Sequence, residues 1–344
     1  MKVSVIVVNW DRRDLLRACL KSLTNQTQLD FEIIVVENGS TDGSAEMVER
    51  EFPTIRLIQN KVNHGFCAAN NQGIHASNGE FVALLNNDAE ADPGWLSALV
   101  ESFEGRADFG MAASKILVWE NPQRIDKAGH LIYPDGQNRG RGSGEMDIGQ
   151  YDRLEEALWP DGCAAMYRRE MLDSIGGFDE DLFAYADDAE LGLRARIAGW
   201  RCVYVPTAVV RHHRGATLGL GSGRRLALIE RNRLLLAAKL FPWSLLWLNA
   251  PYFLARVVTG AWEAARGRGE ASLYPGLRGK LTIAAAMIRG EFAALLLLPR
   301  MLRKRREMEP IRKLAPREVK ELILGNRISL RELSRQTTAG RNSG

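Results

Sequence analysis

Over about the first 90 residues, short apolar runs alternate with stretches in which apolar residues recur at helical spacing. Nearly continuous runs rich in β-branched residues are typical of parallel strands that are buried on both faces. We predict such strands over Val3–Val8, Phe31–Val36, Ile55–Ile58 and Phe81–Leu85. Helices are predicted between them: over Leu15–Leu23 with Asp11 as its cap, from Ser44, and through Ala68–Ile74. These strand–helix units predict an open α/β sheet with right-handed crossovers.

The middle of the chain is less regular. Residues 133–150 are glycine-rich and polar, which predicts a long surface loop. Helices are predicted over about 168–174 and 187–198, followed by a strand over Cys202–Val205. The glycine-rich stretch 211–223 predicts a mobile loop, after which the chain is helical and basic.

Composition and charge narrow the choice of partner. The 344 residues are 46% hydrophobic and 26% charged, which is ordinary for a soluble globular protein of about two domains. Residues 1–210 hold 20 Lys and Arg against 33 Asp and Glu, whereas residues 211–344 hold 26 against 9. This asymmetry points to an anionic partner for the basic part, either membrane lipid or nucleic acid.

Cysteine spacing and the N-terminus bear on the compartment. The four cysteines lie far apart without a C-x-x-C pair, and the N-terminal apolar run is too short for an export signal. We therefore expect buried free thiols and a cytoplasmic protein.

Polar side chains follow each of the four predicted strands. In open parallel sheets, ligands bind outside the carboxyl ends of the strands. These ends carry Asn9-Trp10-Asp11, Glu37-Asn38, Asn63-His64-Gly65 and Asn86-Asn87-Asp88. Neither the glycine fingerprint of a dinucleotide site after the first strand nor a phosphate-binding P-loop occurs, which disfavours both of those enzyme classes. A nucleotide held by side chains remains as the prediction.

Each of several side chains at these ends suits one part of a nucleotide. Trp10 offers a face on which a base stacks, and Glu37 can accept a hydrogen bond from a pyrimidine imide N–H. Asn86 and Asn87 are placed to reach ribose hydroxyls. Asp88 can bind a divalent cation that bridges a diphosphate, and Mg²⁺ or Mn²⁺ suits this role because both prefer oxygen ligands. Each residue taken singly is also explained as a turn residue, but four strand ends in a row favour the functional interpretation.

Three acidic residues, Asp187, Asp188 and Glu190, begin the helix predicted from residue 187. The helix dipole alone favours negative charge there. The Gly-Gly-Phe-Asp sequence upstream and the aromatic residues Phe183 and Tyr185 are more than the dipole requires. A carboxylate crowded by acidic neighbours beside an apolar wall has a raised pKa, so we predict a general base in this cluster.

The adjacent histidines His212 and His213, followed by Arg214, form a third cluster. Such a pair at a strand end is often structural. Basic residues in this position can instead bind a diphosphate, with one histidine completing a metal site. The residues alone leave both alternatives open.

Seven stretches of the sequence, in order and at matching spacing, resemble glycosyltransferase family 2. They are VSVIVVNWDR, EIIVVENGSTDGS, NHGFCAANNQGI, LLNNDAE, GGFDEDLFAYADDAELGLR, WRCVYVPTAVVRHHRGAT and ERNRLLLAAK, and they cover about residues 3–240. The resemblance is greatest to the rhamnosyltransferase-like bacterial members that build surface polysaccharides. It implies the GT-A fold, an open mixed α/β sheet flanked by helices, and an inverting enzyme with a dTDP- or UDP-linked sugar donor. The Q-x-x-R-W signature of processive members is absent, so one transfer per encounter is expected.

The resemblance also implies a role for each matching residue. Asp188 would be the catalytic base, and Asp88 and His212 would bind a divalent metal, Mn²⁺ or Mg²⁺. The nucleotide sugar would be bound by Asn9, Trp10, Asp11, Glu37, Asn38, Asn63, Gly65, Asn70, Asn86, Asn87 and Arg214. The chain departs from the family at Glu37 and Asn86, where Asp is usual, and at Asp187 and Glu190, which replace the usual Glu and Asp around the base.

Two apolar runs, over about 241–262 and 281–299, lie in the basic part. They are interrupted by Asn249, Pro251 and Arg256 in the first and by Arg289 and Glu291 in the second. Amphipathic helices lying on a membrane therefore fit better than spans of ~20 apolar residues, with Arg303–Arg306 attracting anionic lipid. The alternative is a helical subdomain that packs on the catalytic core and has a solvated basic face. No nucleic-acid-binding motif accompanies the charge, so nucleic acid is disfavoured.

The sequence thus predicts a GT-A catalytic domain over residues 1–223, with its nucleotide-binding part at about 1–110 and its acceptor and base part at about 111–223. A basic helical membrane-associating region over 224–334 and a disordered tail over 335–344 are predicted to follow. The predicted function is non-processive sugar transfer to a lipid-linked or glycan acceptor in cell-envelope glycan synthesis, by a peripheral protein at the cytoplasmic face of the membrane. The alternatives are a catalytically weak nucleotide-sugar-binding protein and a membrane scaffold whose tail is the functional part.

Overall fold

The computed structural model describes residues 2–28, 30–214, 222–274 and 276–335, and it divides into two compact units. Unit 1 comprises residues 1–130, 140–196 and 200–217, and unit 2 comprises residues 131–139, 197–199 and 218–344. The predicted mobile loop, over its residues 215–221, and the predicted disordered tail after Arg335 lie outside the described residues.

Strands and helices alternate through the first half of the chain, and helices alone follow. The strands are β1 (Val3–Asn9), β2 (Phe31–Asn38), β3 (Arg56–Asn60), β4 (Phe81–Leu85), β5 (Ala89–Ala91), β6 (Phe109–Val118), β7 (Asn121–Lys127), β8 (His130–Ile132), β9 (Asn138–Gly140), β10 (Glu155–Ala157), β11 (Ala164–Arg168) and β12 (Arg201–His212). The helices are α1 (Arg13–Thr24), α2 (Ser44–Glu51), α3 (Phe66–Ala76), α4 (Trp95–Glu101), α5 (Arg169–Ile175), α6 (Asp187–Ile197), α7 (Gly223–Leu240), α8 (Trp243–Leu246), α9 (Asn249–Ala265), α10 (Gly276–Glu307), α11 (Pro316–Gly325) and α12 (Leu330–Arg335). Short 3₁₀ turns lie at Glu180–Leu182, Glu270–Leu273 and Glu309–Ile311.

One mixed sheet organises unit 1, in the order β10-β12-β6-β11-β4-β1-β2-β3, with β5 beside β12 and β7 beside β6. β1 pairs in parallel with β2 and β4, and β2 pairs in parallel with β3, so their carboxyl ends lie at one edge. β11 is antiparallel to both β4 and β6, which makes the sheet mixed. The predicted α/β class and the four predicted strands are confirmed, and the four cysteines are free and buried, as expected.

The pattern predicts neither β6 nor β7. β6 is buried along its whole length although it contains Ser114 and Lys115. Ser114 accepts a hydrogen bond from the indole N–H of Trp95 (2.8 Å), and Lys115 pairs with Asp147 (2.6 Å). These partners allow polar residues to be buried in β6. The strand therefore lacks the continuous apolar run by which β1 and β4 are recognised in the sequence.

Asp11 does not cap the first helix, contrary to the prediction. The N-cap of α1 is Arg12. Asp11 instead accepts a hydrogen bond through Oδ1 from the backbone N–H of Thr41 (2.7 Å), and its own φ is 50°. Its carboxylate is therefore committed to the turn after β2.

The predicted surface loop over 133–150 is wrong in its first part. β8 and β9 pair with each other, and residues 133–137 between them are buried. Asp135 is fully buried because Arg256 Nε donates to its Oδ2 (2.6 Å), while its carbonyl accepts from Arg233 and Asn249. These partners lie 98 to 121 residues further along the chain, so local composition does not reveal them.

In unit 2, α10 packs on α7 through small residues. Ala286, Gly290 and Ala294 are buried at four-residue spacing, and a Cβ on Gly290 would lie 2.6 Å from the carbonyl oxygen of Ala227. The two backbones therefore approach closely. The exposed side of α10 carries large apolar residues instead: Leu277, Leu281, Ile288, Phe292, Leu295 and Leu296. Among the described residues, one helix, running from Gly276 through Ile311, is long and apolar enough to cross a membrane by length and composition alone.

Candidate active site

A line of buried polar side chains connects the ends of β4, β1 and β2. Asn87 Nδ2 donates to Asn9 Oδ1 (2.7 Å), and Asn9 Nδ2 donates to Glu37 Oε2 (2.7 Å). Since β1 lies between β2 and β4, these hydrogen bonds run along the carboxyl edge of the sheet. Trp10, which follows Asn9, is half-buried at the same edge.

Glu37 keeps acceptor capacity beyond its contacts within the protein. Its Oε1 accepts from the backbone N–H (3.1 Å) and the hydroxyl of Ser40, and its Oε2 accepts from Asn9. A carboxylate has about four lone-pair sites, so a further N–H donor can be accepted. Burial raises the pKa of Glu37 above its usual value, although the hydrogen bonds from Ser40 and Asn9 oppose the rise.

The turn after β3 is held by amide side chains. Asn38 Nδ2 donates to Asn63 Oδ1 (3.1 Å) and to the Gly65 carbonyl (3.3 Å), and its Oδ1 accepts from Asn60 Nδ2 (3.0 Å) and the His64 N–H (3.1 Å). The buried Asn38 amide thus uses both donors and both lone pairs. Asn63 Oδ1 also accepts from the Gly65 N–H (2.8 Å). These contacts give Asn38 and Asn63 a role in holding the turn, and nucleotide-sugar binding by either side chain stays a prediction.

Other predicted binding residues also have partners within the protein. Asn70 is buried in α3, and its Nδ2 donates to the Phe66 carbonyl (2.9 Å). Asn86 donates its backbone N–H to the Cys163 carbonyl (2.8 Å), while its side chain is half-buried at the end of β4. Nucleotide-sugar binding by either side chain stays a prediction.

Gly65 lies against the segment that precedes the predicted base. Its φ is 88°, and a Cβ at this position would lie 2.4 Å from Phe183 Cδ2. Phe183, Tyr185 and Ala186 have positive φ themselves, and Asp11 at the end of β1 is the fourth non-glycine residue of this kind in the described parts of the chain. Backbone strain in non-glycine residues concentrates at functional sites.

Asp88 and His212 lie together, as a metal-binding pair requires. β12 pairs with β5 so that His212 is opposite Ala89, and His212 Nε2 is 3.4 Å from Asp88 Oδ1. The other ring nitrogen, Nδ1, is 2.7 Å from Asp126 Oδ2. Metal-binding histidines are commonly oriented by a carboxylate in this way, so one carboxylate and one oriented imidazole fit a divalent cation.

The surroundings of this pair are strongly charged. Arg214 Nη2 is 2.5 Å from Asp126 Oδ1, so the arginine predicted to bind a diphosphate is ion-paired with Asp126. Burial disfavours a charged imidazole, but Cys163 and the carboxylates of Asp88 and Asp126 raise the pKa of His212 well above its ordinary value. A divalent cation would take the place of the proton on Nε2.

Asp188 belongs to a second cluster of buried charges. His130 Nε2 is 3.3 Å from Asp188 Oδ2 and 2.7 Å from Asp161 Oδ2, and Lys127 Nζ is 2.5 Å from the same oxygen of Asp161. Burial opposes a charged His130, but the carboxylates of Asp188 and Asp161 raise its pKa to about 9. Asp188 therefore has an imidazolium beside it at neutral pH.

The raised carboxyl pKa expected in this cluster falls on Asp187. Burial, together with the neighbouring charges of Asp188 and Asp161, raises the pKa of Asp187 to about 8. Glu190 has a structural partner instead, since Arg194 donates to both of its oxygens (2.9 and 2.8 Å). Of the three acidic residues that begin α6, Asp188 is thus the one in contact with His130.

Ligand atoms of His130, Asp161 and Asp188 lie within 4.8 Å of one another, which is close enough to hold a metal ion. The ammonium group of Lys127 and the imidazolium already balance these two carboxylates. A cation would therefore have to displace the proton of His130, as it would have to displace that of His212 beside Asp88.

A three-residue segment, Asp161–Cys163, contacts both clusters. Asp161 binds His130, and the Gly162 N–H is 3.4 Å from Asp188 Oδ2. The carbonyl of Cys163 accepts the backbone N–H of Asn86 at the end of β4. The predicted base and the polar end of β4 are thus joined through this one segment.

Sequence reasoning misses Asp126, His130 and Asp161. Asp126 is 86 residues from its partner His212, and His130 is 31 residues from Asp161. The sequence does contain a signal for Asp161. It belongs to the stretch Trp-Pro-Asp-Gly, which directly precedes the apolar run of β11, and an acidic residue buried at such a position needs a partner.

The sequence profile described as "Glycosyl transferase family 2" matches residues 4–176, just over half of the chain. The protein belongs to this family.

Two relatives with descriptive names are also similar to this chain. The chain is 32% identical over 252 residues to the "O-antigen biosynthesis protein RfbC" of Myxococcus xanthus, across 70% of this chain and 19% of that protein. It is 28% identical over 254 residues to the "N-acetylglucosaminyl-diphospho-decaprenol L-rhamnosyltransferase" of Mycobacterium tuberculosis, across 65% of this chain and 80% of that protein. The chain thus spans about a fifth of the length of the first relative.

A solved structure shows the fold. GalNAc-T7 with UDP, GalNAc and Mn²⁺ superimposes with a TM-score of 0.60 at 15% identity, over 75% of this chain and 51% of that one. At this identity the likeness concerns the fold alone, and it confirms the GT-A architecture implied by the resemblance.

Proposed function

We propose that the protein is an inverting, non-processive glycosyltransferase of cell-envelope glycan synthesis. It moves one sugar, with rhamnose as the first candidate, from a dTDP- or UDP-linked donor to a lipid-linked or polysaccharide acceptor. The observation that carries this proposal is the segment Asp161–Cys163, which contacts Asp188 and the polar end of β4. A donor bound at that end would have its sugar within reach of a base on α6.

The donor would bind along the carboxyl edge of the sheet. Trp10 stacks on the base, Glu37 accepts its imide N–H, and Asn87 lies near the ribose. Asp88 and His212 would hold the divalent cation, Mn²⁺ or Mg²⁺, which would neutralise negative charge on the departing diphosphate.

Asp188 supplies the base for the acceptor. Its carboxylate takes the proton from an acceptor hydroxyl while that oxygen forms a bond to the anomeric carbon. The bond from the anomeric carbon to the diphosphate oxygen breaks, and its electron pair leaves with the nucleoside diphosphate. A single displacement on the face opposite the leaving group inverts the configuration. His130 holds the Asp188 carboxylate in place through the contact at Nε2.

Replacing the base separates catalysis from binding. We expect Asp188→Asn to lower the rate of transfer by about 10²–10⁴-fold, the usual worth of a general base, with donor binding retained. Asp187→Asn is the matched control on the same helix, because Asp187 is mostly protonated at pH 7 and its replacement changes little charge. Transfer that survives Asp188→Asn would show that the base is another residue.

The donor and the metal are identified by a thermal-shift screen across nucleotide sugars. A ligand that binds the folded state raises the melting temperature according to its concentration and affinity. We expect the largest shift with a dTDP- or UDP-sugar in the presence of Mn²⁺ or Mg²⁺, and a smaller shift with EDTA. Equal shifts with and without metal would contradict the assignment of Asp88 and His212.

A membrane partner is proposed from the packing of α10. A helix in a water-soluble domain buries its large apolar residues and exposes polar ones. α10 does the reverse, since small residues face α7 and the exposed side carries Leu281, Ile288 and Phe292. This side would lie in the interfacial region of the cytoplasmic leaflet, with the exposed Arg303 and Arg306 attracting anionic lipid by about 1 kcal/mol for each residue. Arg305 is engaged within the protein instead, since its Nη1 donates to the Phe241 carbonyl (2.6 Å).

Vesicle sedimentation tests this surface on the full chain. We expect binding to phosphatidylglycerol-containing vesicles, weakened at least tenfold by the double substitution Ile288→Glu and Phe292→Glu. Ile148→Glu is the control, because Ile148 is an apolar residue of unit 1 that is even more exposed than Ile288 and Phe292. Binding that is insensitive to both changes would remove the membrane assignment.

A further inference from the structure

A cavity of about 720 Å³ lies within unit 2, among α7, α9 and α10. Pockets that bind small organic ligands measure roughly 300–1,000 Å³. Its walls are mainly apolar, and Leu226, Ile229, Val257, Ile283 and Met287 line it. The cavity therefore suits a hydrocarbon group of considerable size.

The cavity opens between α9 and α10. Of its lining residues, Ala261 and Ala265 on α9 and Gly276 and Lys280 on α10 are themselves exposed. Large exposed apolar side chains follow directly along both helices, at Trp262, Leu277 and Leu281. An apolar chain that enters here comes from the side of unit 2 that we propose lies against the membrane.

Two cationic side chains on the wall retain donor capacity. Arg139 pairs with Glu270 through Nη2 (2.6 Å), but its Nε is buried without a hydrogen-bond partner among the described residues. Lys280 makes no ion pair with any residue in the described ranges. The acidic groups of the wall are already neutralised, Glu230 by Arg256 and Glu270 by Arg139. The net charge available to a ligand is therefore positive.

We propose that this cavity binds the hydrocarbon chain of a phosphate-bearing lipid. The apolar walls take the chain, and Lys280 and Arg139 bind the phosphate group. The assignment of this lipid as the carrier of the sugar acceptor rests on the proposed function. Lipid binding by the cavity does not depend on it.

Filling the cavity tests the proposal on the full chain. Farnesyl phosphate, an isoprenoid phosphate, is the probe, and its dissociation constant is measured by titration calorimetry below its micellar concentration. Gly260 lines the cavity, and a Cβ there meets no atom within 4 Å, so Gly260→Leu places a side chain into the open space without a clash. Leu also favours a helix over Gly, so α9 is retained.

We expect Gly260→Leu to weaken farnesyl phosphate binding at least tenfold. Gly325→Leu on α11 is the matched control, since its Cβ also meets nothing within 4 Å and Gly325 does not line the cavity. Lys280→Gln should weaken binding of farnesyl phosphate more than that of farnesol. The proposal is overturned if farnesyl phosphate and dodecyl phosphate both fail to bind, or if Gly260→Leu binds them as wild type does.

Two lipid sources share this chemistry, and the two probes distinguish them. Tighter binding of farnesyl phosphate assigns an isoprenoid carrier, whereas tighter binding of dodecyl phosphate assigns an acyl lipid of the bilayer, and either result supports the cavity as a lipid site. Sugar transfer to a lipid acceptor with unchanged binding in Gly260→Leu would overturn the cavity assignment alone. Cavity binding without transfer to any acceptor would overturn the proposed function alone.

Discussion

In unit 1 the strands and helices bury a continuous apolar core, and the charged groups of the candidate site gather where the strands end. In unit 2 charged groups lie inside, where Glu230, Arg233 and Asp135 are almost fully buried, while α10 exposes its large apolar residues. An apolar core is the arrangement that water favours, because water excludes apolar surface. The second arrangement is typical of helices whose exposed side faces lipid.

The buried charges also serve different purposes in the two units. In unit 1, Asp88 and Asp188 each face a histidine, and each histidine also contacts a second carboxylate. Such pairs leave an atom available for a metal or a proton. In unit 2, Arg256 donates to both oxygens of Glu230 and to Asp135, so each of its three guanidinium nitrogens is engaged. Networks of this kind fix how helices pack.

The network in unit 2 provides the prediction with the largest effect. Arg256→Met removes a charge but keeps an apolar side chain of similar length, and it leaves Asp135 and Glu230 buried without their main partner. Breaking a buried ion pair at one partner costs about 3–5 kcal/mol. We expect this loss in urea unfolding of the full chain, read from the midpoint and slope.

Arg317→Met is the control for this change. Arg317 pairs with Glu321 on the surface of α11, and exposed pairs of this spacing contribute roughly 0.3–0.5 kcal/mol. If both substitutions lowered the free energy of unfolding equally, the buried charges would not be what holds unit 2 together.

The difference between burial of apolar side chains and burial of charges through ion pairs also explains which features the sequence could predict. Runs such as Phe81–Leu85 report burial directly, and the polar residues after them identify the edge where ligands bind. Asp135 and Asp126 are different, because each is buried only through an ion pair with a distant residue. A glycine-rich, polar stretch such as 133–137 has the composition of a surface loop, and its burial depends on partners in α7 and α9.

A second prediction concerns Asp126, the carboxylate on the far side of the histidine that we propose binds the metal. Asp126→Asn keeps the shape of the side chain but weakens its contacts with His212 and Arg214. Loss of such a partner typically lowers metal affinity 10–100-fold. We expect this change in the Mn²⁺ concentration needed for half-maximal transfer, with a smaller change in the rate at saturating Mn²⁺.

Asp152→Asn is the matched control for Asp126. Asp152 also pairs with a basic residue of unit 1, Lys115, but it is mostly exposed and lies outside both histidine clusters. An equal shift in the Mn²⁺ requirement for the two variants would mean that loss of negative charge, rather than orientation of His212, sets metal affinity.

The smallest expected effect is a change in how stability depends on pH. Asp187 has a pKa of about 8 in the folded protein and an ordinary value near 3.8 when unfolded, so the folded state binds the extra proton between these values. Its contribution to stability is complete below about pH 4 and is lost as the pH rises toward 8. Asn cannot ionise, so Asp187→Asn should gain in melting temperature relative to wild type as the pH is raised from 5 to 8.

Asp173→Asn, on the exposed side of α5, is the control and should follow the wild-type curve of melting temperature against pH. A constant difference between Asp187→Asn and wild type across this range would mean that Asp187 is ionised in the folded protein, and the charge balance around Asp188 would then have to be reassigned.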